Sequence, residues 1–383
     1  MTNSVAQWFN LNRSNFIIDP RTDSGIFAPR EEINTTELLQ GLEVTLITDR
    51  APKRLIWGVY GGGKTHTLFF IGTKLAEMQS VEPIYVECPS VPKNSTFIDL
   101  YKDGIMASIG QERTISLFKN LIQKIGLIDR DDLLSKLQKD YGDEELSRAI
   151  INLYLSDTDK ELTFWRYISG NSLSPSQLKE LQITQSISEA NATRLANIII
   201  TIGKISKSIE NKTMVLIIDE LDRLTSIGNE YGINTYQEGL RRLVDENQTS
   251  VALLLGCSAA NIKDIPEIFG GEAGPVLGRI GKTNIIEIRD IPASEVDRFI
   301  KYILQKIVDQ NVAKQKIESL KNSTKETIEL DLYPFTVEAI DTLKGKLSGV
   351  MTPREITMRM SDAAGKAFLL KKEIITSDIF GGR

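Results

Sequence analysis

Residues 58–65 read Gly-Val-Tyr-Gly-Gly-Gly-Lys-Thr, and this stretch decides the fold. It matches the pattern G-x-x-x-x-G-K-[ST] of a phosphate-binding loop, in which backbone N–H groups surround an anion. Gly61, Gly62 and Gly63 lack a Cβ, so the backbone can turn sharply and approach a ligand closely. A helix is predicted to begin at Lys64–Thr65, where its dipole also favours negative charge. The stretch therefore predicts a site for a nucleoside triphosphate.

The residues of the loop have separate predicted roles. Gly58 and the three glycines bind the nucleotide through their backbone, Lys64 reaches the β- and γ-phosphates, and the Thr65 hydroxyl binds Mg²⁺. His66 follows directly and is predicted either to contact the nucleotide or to pack against a neighbouring element. The flanking sequence supports a strand–loop–helix unit: Leu55-Ile56-Trp57 precede the loop, and Leu68, Ile71, Leu75 and Met78 follow at helical spacing.

A second part of the site is predicted where the apolar run 214–218 ends in Asp219 and Glu220. Such a continuous apolar run suits a strand that is buried on both faces of a parallel sheet. Phosphoryl transfer requires neutralised charge and an oriented nucleophile. We therefore predict that Asp219 lies near Mg²⁺ and that Glu220 is the general base for an attacking water. Asp222 is predicted to be structural and to pair with a neighbouring arginine.

Composition limits the classes of protein that remain. The chain has 383 residues, 41% hydrophobic and 25% charged residues, a net charge of −5 and one histidine. These values are ordinary for a globular protein, and the single histidine argues against a His-based metal site or a Ser-His-Asp triad. No apolar run reaches the roughly 18 residues of a membrane span, and the N-terminus lacks a secretory signal. We expect a cytoplasmic protein with no membrane partner, in which Cys88 and Cys257 are buried thiols.

The chain is predicted to divide into three parts. Residues 1–50 form a lead-in, residues 51–291 an α/β nucleotide-binding core with a helical insertion at about 100–210, and residues 292–383 a helical lid. Alternating strands and helices predict a parallel sheet. Residues 314–329 are polar and rich in lysine, and they are predicted to be a loop or a frayed helix end. The predicted strands are 54–60, 83–88, 214–218, 251–255 and 285–288.

The combination of the phosphate loop, the apolar strand ending in Asp219-Glu220, the strand Val251–Ser258 and a later arginine resembles the AAA+ ATPases. The resemblance covers about residues 27–378, without much of 100–210. It implies an α/β fold whose parallel sheet has the order 5-1-4-3-2, with a large helical insertion and a C-terminal helical lid. It also implies that the cofactors are ATP and Mg²⁺ and that the activity is ATP hydrolysis.

The same resemblance implies roles for residues outside the loop. Ser258 matches sensor 1, which orients the water or touches the γ-phosphate, and Asn261 is the alternative. Arg279 matches the arginine finger that reaches the nucleotide of a neighbouring subunit. Arg241 and Arg242 are alternatives to Arg279.

A third signature is Thr352-Pro353-Arg354-Glu355, which predicts a helix start with a capping box. Arg354 would lie in the first helical turn, where the helix dipole disfavours a cation. Such a local conflict indicates function. The motif resembles sensor 2 of AAA+ lids, whose arginine leans over the bound nucleotide.

Two further patterns bear on the kind of AAA+ protein. The lid pattern and the segment Pro29-Arg30-Glu31 resemble the replication-initiator (origin-recognition) clade. The insertion, with Phe164-Trp165-Arg166-Tyr167, resembles the ATP-binding proteins of bacterial BREX-type phage-defence systems. Trp165 is alternatively an anchor of the core of this helical insertion.

Partners follow from these resemblances. We expect a homo-oligomer, either a ring or a filament. It is expected to contact the phosphate backbone of double-stranded DNA and to act on an effector protein in defence, transposition or replication. Between Arg298 and Lys325 there are seven Lys and Arg residues against two Asp and Glu, a stripe that suits phosphate contacts. The alternative is a signalling or scaffold NTPase with protein partners only, in which this stripe is a solvated face.

Overall fold

The computed structural model describes residues 4–28, 35–48, 50–126, 129–154, 158–245, 249–265, 269, 274–320, 325–347 and 351–381. The segment Pro29-Arg30-Glu31, which carried part of the predicted clade resemblance, lies outside these residues. The strands are β1 (Lys53–Gly58), β2 (Val81–Glu87), β3 (Thr213–Asp219), β4 (Val251–Ser258) and β5 (Ile285–Ile288).

The α-helices are numbered in chain order, and a π-helix at Leu100–Met106 connects the fourth to the fifth. They are α1 (Val5–Phe9), α2 (Thr35–Ile47), α3 (Lys64–Ala76), α4 (Phe97–Asp99), α5 (Ala107–Ile109), α6 (Gln111–Ile125), α7 (Arg130–Tyr141), α8 (Glu144–Tyr154), α9 (Thr158–Ile168), α10 (Pro175–Leu181), α11 (Ala192–Glu210), α12 (Glu230–Leu243), α13 (Leu277–Ile280), α14 (Val296–Ile307), α15 (Gln310–Leu320), α16 (Val337–Lys346), α17 (Pro353–Leu369) and α18 (Ser377–Phe380).

The strands form one five-stranded parallel sheet in the order β2-β3-β4-β1-β5. Counted from the other edge, this is the predicted order 5-1-4-3-2, so the α/β fold prediction is confirmed. Every residue of β3 is buried, as expected for a strand with neighbours on both sides and covered faces. Ile84 of β2 pairs with Leu216 of β3, which pairs in turn with Leu253 of β4. Because the strands are parallel, the carboxyl ends of all of them lie at the same end of the sheet.

The region between β2 and β3 is helical, as predicted, and contains α4 to α11. Arg113 of α6 fixes this region to the sheet, since its guanidinium donates to Glu82 at 2.7 and 2.6 Å and to Glu210 at 2.8 and 2.7 Å. Phe164 and Tyr167 of α9 are fully buried, and Trp165 packs against the same core while partly exposed. The aromatic segment is thus placed as core, in line with the structural alternative for Trp165.

The chain divides into two compact units. The first contains Met1–Thr35, Gly58–Phe70 and Ile288–Arg383, and the second contains Thr36–Trp57 and Ile71–Glu287. The predicted domain boundaries after residues 50 and 291 stay a prediction. No helix in the described ranges is long and apolar enough to cross a membrane. Cys88 and Cys257 are buried free thiols, as predicted.

The core of the first unit is built largely by helices that follow β5. One apolar stripe of α14 is buried, as its spacing predicted. The prediction of a loop or frayed end at 314–329 was wrong for its first part, because α15 continues to Leu320. Ala313, Ile317 and Leu320 are buried at helical spacing, a sparse pattern that the surrounding lysines hide in the sequence. The N-terminal segment joins the same core: Leu11 forms a β-bridge with Val308, and the Trp8 indole donates to the Lys372 carbonyl at 2.7 Å.

Candidate functional site

The phosphate loop requires glycine at its first position for a steric reason. Gly58 is the last residue of β1, and a Cβ there would lie 2.1 Å from the carbonyl oxygen of Ile288. Gly61 and Gly63 have φ angles of +80° and +98°, in the left-handed region that side chains disfavour. A Cβ at Gly62 would lie 3.1 Å from the Val59 carbonyl oxygen. The glycines that the motif predicted are therefore needed by the geometry of the loop.

The start of α17 lies against this loop within the first unit. A Cβ at Gly61 would come within 3.3 Å of Arg354 Cβ and 3.4 Å of Thr352 Oγ1. The Arg354 guanidinium donates to the Tyr60 hydroxyl at 2.6 Å and lies 5.1 Å from the centre of the Tyr60 ring, a cation–π distance. The structure thus brings together the loop and Arg354, which the sequence placed at the same nucleotide.

Half of the predicted capping box at α17 is present. Thr352 Oγ1 accepts a hydrogen bond from the Glu355 N–H at 3.2 Å, so Thr352 is the N-cap. The Glu355 carboxylate does not complete the box; it accepts from Arg359 at 2.7 Å, one helical turn further along. The side chain of Arg354 therefore extends from a helix start that is well defined by its cap.

Lys64 is buried at the start of α3, with only 6% of its surface exposed. Its ammonium donates to the Val59 carbonyl oxygen at 2.7 Å, so the side chain folds back over the loop. Thr65 follows in the first turn of the helix and is partly exposed. Both residues occupy the positions from which the motif predicts contacts to phosphate and Mg²⁺.

His66 faces the N-terminal segment. Its ring meets the Phe27 ring edge to face with centres 5.3 Å apart, and Phe27 stacks on Phe70 at 4.2 Å. Burial lowers the pKa of His66, while a hydrogen bond to the Asp23 backbone and the charge of that carboxylate oppose the change. The Nε2 atom is buried and has no hydrogen-bond partner among the described residues. The structure thus shows His66 packed against a neighbouring element, and its contact with the nucleotide stays a prediction.

The carboxylate of Asp219, at the end of β3, is held by two hydrogen bonds. Its Oδ2 accepts from the Tyr85 hydroxyl of β2 at 2.8 Å, and its Oδ1 accepts from the Glu220 N–H at 2.8 Å. Burial and the Asp219 charge raise the pKa of Tyr85, which keeps the phenol protonated and therefore a donor. Each carboxylate oxygen keeps a free lone pair after these bonds.

Glu220 is held by an arginine that sequence reasoning missed. Glu220 has a left-handed backbone, with φ 59° and ψ 34°, and its carboxylate forms an ion pair with Arg223. Arg223 also donates to Glu87 at 2.9 Å and to the Cys88 carbonyl at 2.6 Å. Burial raises the pKa of Glu220, and the Arg223 charge opposes that rise. The signal was present in the run Asp-Glu-Leu-Asp-Arg, but its spacing assigns no partners.

Asp222 is structural, but its predicted partner was wrong. Its carboxylate accepts from the Ser258 N–H at 2.8 Å instead of pairing with an arginine. The adjacent Arg223 is already engaged by Glu87 and Glu220. Asp222 thus fixes the last residue of β4, the candidate for sensor 1. Asn261, the alternative, is exposed and donates to Asp264 at 3.1 Å.

The candidate arginine finger and its alternatives lie on different helices. Arg279 is on the short helix α13, partly exposed, and donates to the Pro275 carbonyl at 2.7 Å. Arg242 of α12 donates to Asn197 at 2.6 Å, which engages it within the second unit. Arg241 is exposed on the same helix. Their assignment as finger residues stays a prediction.

Metal binding by protein ligands alone is not supported in the described ranges, where no group of three or more His, Cys, Asp or Glu side chains could hold an ion. Mg²⁺ commonly keeps several waters and binds through one or two protein oxygens together with nucleotide phosphates. The hydroxyl of Thr65 in the first unit and the carboxylate of Asp219 in the second unit are each oxygen groups of the kind that Mg²⁺ binds.

Comparison with protein-family models gave no match, and neither did comparison with curated proteins. Among solved structures, the chain is similar to the ADP form of the ORC2 protein of Aeropyrum pernix, at 10% identity over 96% of this chain and 72% of that chain, with a TM-score of 0.47. It is also similar to Cdc6p from Pyrobaculum aerophilum, at 11% identity over 94% and 68% of the two chains and a TM-score of 0.45. A Walker-type ATPase of Pyrococcus abyssi is 12% identical over 93% and 77%, with a TM-score of 0.42.

Proposed function

We propose that this chain is an AAA+-type ATPase that binds ATP with Mg²⁺ and hydrolyses it to ADP and phosphate. The observation that carries this proposal is the phosphate loop, whose positive-φ glycines lead into a helix that begins at Lys64. Arg354 adds a second cation at the same loop. A glycine turn, a helix N-terminus and two cations together form a site for a polyphosphate.

The chemistry of the proposed site uses residues that the sequence predicted. Lys64 binds the β- and γ-phosphates, and Arg354 adds positive charge beside them. Thr65 and Asp219 hold Mg²⁺, which neutralises charge on the phosphates when it is bound. Glu220 accepts the proton of the attacking water, for which it must be ionised.

Three further roles complete the proposal. Ser258 orients the water, and its position is fixed by the bond from its N–H to Asp222. Arg279 acts on the nucleotide of a neighbouring copy, which makes the active form a ring or a filament. Arg223 releases Glu220 before the proton is transferred, because a carboxylate engaged by a guanidinium is a weaker base.

The test compares nucleotide binding with hydrolysis. Lys64→Ala is expected to abolish both, whereas Glu220→Gln is expected to keep ATP binding and to lower hydrolysis by at least about 100-fold. Glu144→Gln is a matched control, since it removes an exposed carboxylate that pairs only locally with Arg148. Hydrolysis that survives Glu220→Gln would show that another group is the base. Wild-type protein that binds no ATP would refute the function.

DNA association is part of the proposal, but one observation favours the alternative of protein partners only. The predicted basic stripe between Arg298 and Lys325 is partly neutralised. Lys301 pairs with Glu329 at 3.0 Å and with Asp331 at 2.8 Å. Lys316 donates to the Trp8 carbonyl at 2.8 Å. Fewer of these charges are therefore available to phosphates than the sequence count indicates.

The two candidates differ in their response to duplex DNA. If DNA is a partner, duplex DNA of mixed sequence binds, binding weakens as salt rises, and ATP hydrolysis is stimulated. If the partners are proteins only, hydrolysis is the same with and without the duplex at low salt. Exposed Lys314 is the residue of the stripe to replace by glutamate, with Lys204→Glu in the second unit as a control for net charge.

A further inference from the structure

We propose that Tyr60 positions Arg354 for the bound polyphosphate, by holding the guanidinium beside the phosphate loop before a nucleotide binds. This inference rests on the proposed function, because it concerns the same nucleotide site. It goes further by giving a role to a residue that the motif leaves open. Position 60 is one of the variable positions of G-x-x-x-x-G-K-[ST], so the motif itself does not require tyrosine there.

The contact between the two side chains is the first reason. The Arg354 guanidinium donates to the Tyr60 hydroxyl at 2.6 Å and lies over the Tyr60 ring, 5.1 Å from its centre. The same tyrosine thus offers the cation both a hydrogen-bond acceptor and a π face. Tyr60 is 73% exposed, so burial in a core does not explain its place beside Arg354.

The backbone on both sides of this contact is fixed, which is the second reason. The Gly62 N–H donates to the Val59 carbonyl at 3.2 Å, so Tyr60 lies within a closed turn. Arg354 lies in the first turn of α17, whose start is capped. The two segments touch, since a Cβ at Gly61 would lie 3.3 Å from Arg354 Cβ. The two side chains therefore meet from backbones that have little freedom to separate.

The charge of Arg354 remains available to an anion, which is the third reason. Among the described residues no carboxylate pairs with Arg354, and the adjacent Glu355 pairs with Arg359 at 2.7 Å. The first turn of a helix disfavours a cation, whereas a phosphate would compensate the charge. A guanidinium has five N–H donors, so it can bind a phosphate while one donor stays on the Tyr60 hydroxyl.

The benefit of this arrangement is entropic. A free arginine side chain samples many rotamers and loses that freedom when it engages a ligand. Each side chain that is immobilised on binding lowers the affinity, and one that is already held in place avoids this loss. Tyr60 is therefore expected to strengthen polyphosphate binding by about three- to tenfold, entirely through Arg354.

The experiment measures ATP binding to the full chain in a double-mutant cycle. Tyr60→Ala is expected to weaken ATP binding by about three- to tenfold when Arg354 is present, and by less than about twofold in the Arg354→Ala background. A tyrosine that stacked on the nucleotide itself would keep its effect in that background. Tyr231→Ala removes a tyrosine that is also 73% exposed, and it should leave ATP binding unchanged.

Two aromatic substitutions distinguish positioning from a structural part in the loop. Tyr60→Phe keeps the π face and loses the hydroxyl, so its affinity for ATP should lie between those of wild type and Tyr60→Ala. Tyr60→Trp supplies the ring that binds a cation best, and it should bind ATP at least as tightly as Tyr60→Phe although its side chain is larger. A role that depended only on the fit of the side chain in the loop predicts the reverse order.

The outcomes separate this inference from the function beneath it. Wild-type protein that binds no ATP overturns the proposed function. If wild-type protein binds ATP, equal binding by Tyr60→Ala overturns the positioning role alone, and so does a loss that persists in the Arg354→Ala background. If Arg354→Ala binds ATP too weakly to measure, the aromatic series decides, and Phe and Trp variants that bind no better than Tyr60→Ala overturn the role.

Discussion

Arg223 forms an ion pair with Glu220, three residues before it in the chain, while the same guanidinium binds the carboxylate of Glu87 and the carbonyl of Cys88. The proposed base is therefore tied to the end of β2 through one arginine. The protonation of Glu220 consequently depends on that arginine, and the dependence can be measured.

The first prediction concerns Arg223→Ala and pH. Burial raises the pKa of Glu220 above its ordinary value, and the Arg223 charge opposes this. Removing the charge raises the pKa further, so the ionised base is lost at a higher pH during acidification. The profile of kcat/KM from about pH 5 to 8, which reports the free enzyme, should show its acid limb shifted upward. Arg148→Ala, which frees a carboxylate elsewhere, should leave the limb in place. A limb that stays or moves downward in Arg223→Ala would contradict the coupling.

The second prediction concerns Tyr85→Phe and Mg²⁺. The phenol donates to Asp219 Oδ2, and its loss lets the carboxylate rotate. Outer partners of metal ligands typically contribute about 10- to 100-fold in metal affinity or activity. Half-maximal hydrolysis should therefore need at least about tenfold more Mg²⁺. Tyr236→Phe is the matched control, because it removes a buried hydroxyl that contacts Ser95 at 2.8 Å. An unchanged Mg²⁺ requirement in Tyr85→Phe would rule out Tyr85 as a positioning residue.

The third prediction concerns Gly58→Ala. The added methyl group would lie 2.1 Å from the Ile288 carbonyl oxygen, so the backbone must move. Overpacking of this kind costs about 1–3 kcal/mol in the free energy of unfolding, and the distorted loop should also lose ATP binding. In Gly41→Ala the methyl group has no atom within 4 Å and lies in helix α2, where alanine should stabilise by about 0.5–1 kcal/mol. Urea unfolding of both variants measures the difference. Equal stability of the two variants would disprove the close contact.

The fourth prediction tests whether a site is completed by a second copy. Arg279→Ala should bind ATP without hydrolysing it, and Lys64→Ala should bind none. When the two are mixed, a Lys64→Ala copy supplies its intact Arg279 to the nucleotide of an Arg279→Ala copy, so hydrolysis returns in part.

The control for that mixture is a chain carrying both substitutions. Mixed with Arg279→Ala, it should restore nothing, since no copy then offers the arginine. If the first mixture also stays inactive while mass measurements show that mixed oligomers form, Arg279 is not the finger, and Arg241 is the next residue to test.

The sheet was predictable from the sequence because its strands are apolar runs with distinct ends. The apolar run 214–218 predicted β3, which extends one residue further at each end. The motif at 58–65 predicted the loop and the helix after it. The partners of Asp219 and Glu220 were not predictable. They depend on the register that sets Glu87 of β2 beside Asp219, and register is a property of two strands that lie 125 residues or more apart in the chain.

Two of the misses concern side-chain partners, which are chosen among competitors, and one concerns a helix. Asp222 was expected to pair with an arginine, but the adjacent Arg223 pairs with Glu87 and Glu220 instead. The Asp222 carboxylate accepts a hydrogen bond from the Ser258 N–H. Helix α15 was hidden because polar and charged residues outnumber its three buried apolar residues. Tyr60, an exposed residue within the loop, contacts Arg354 only in the folded chain, and no spacing in the sequence indicates this pair.

The N-terminal segment changes what a minimal version of this protein would be. The Phe27 ring packs against His66, while Phe9 and Phe16 are fully buried in the first unit. A shortened chain that starts after residue 35 would keep every residue of the phosphate motif and lose the aromatic ring that packs against His66. Its first unit would also lose part of its buried core, so the fragment should be less stable than the full chain although its motif is unchanged.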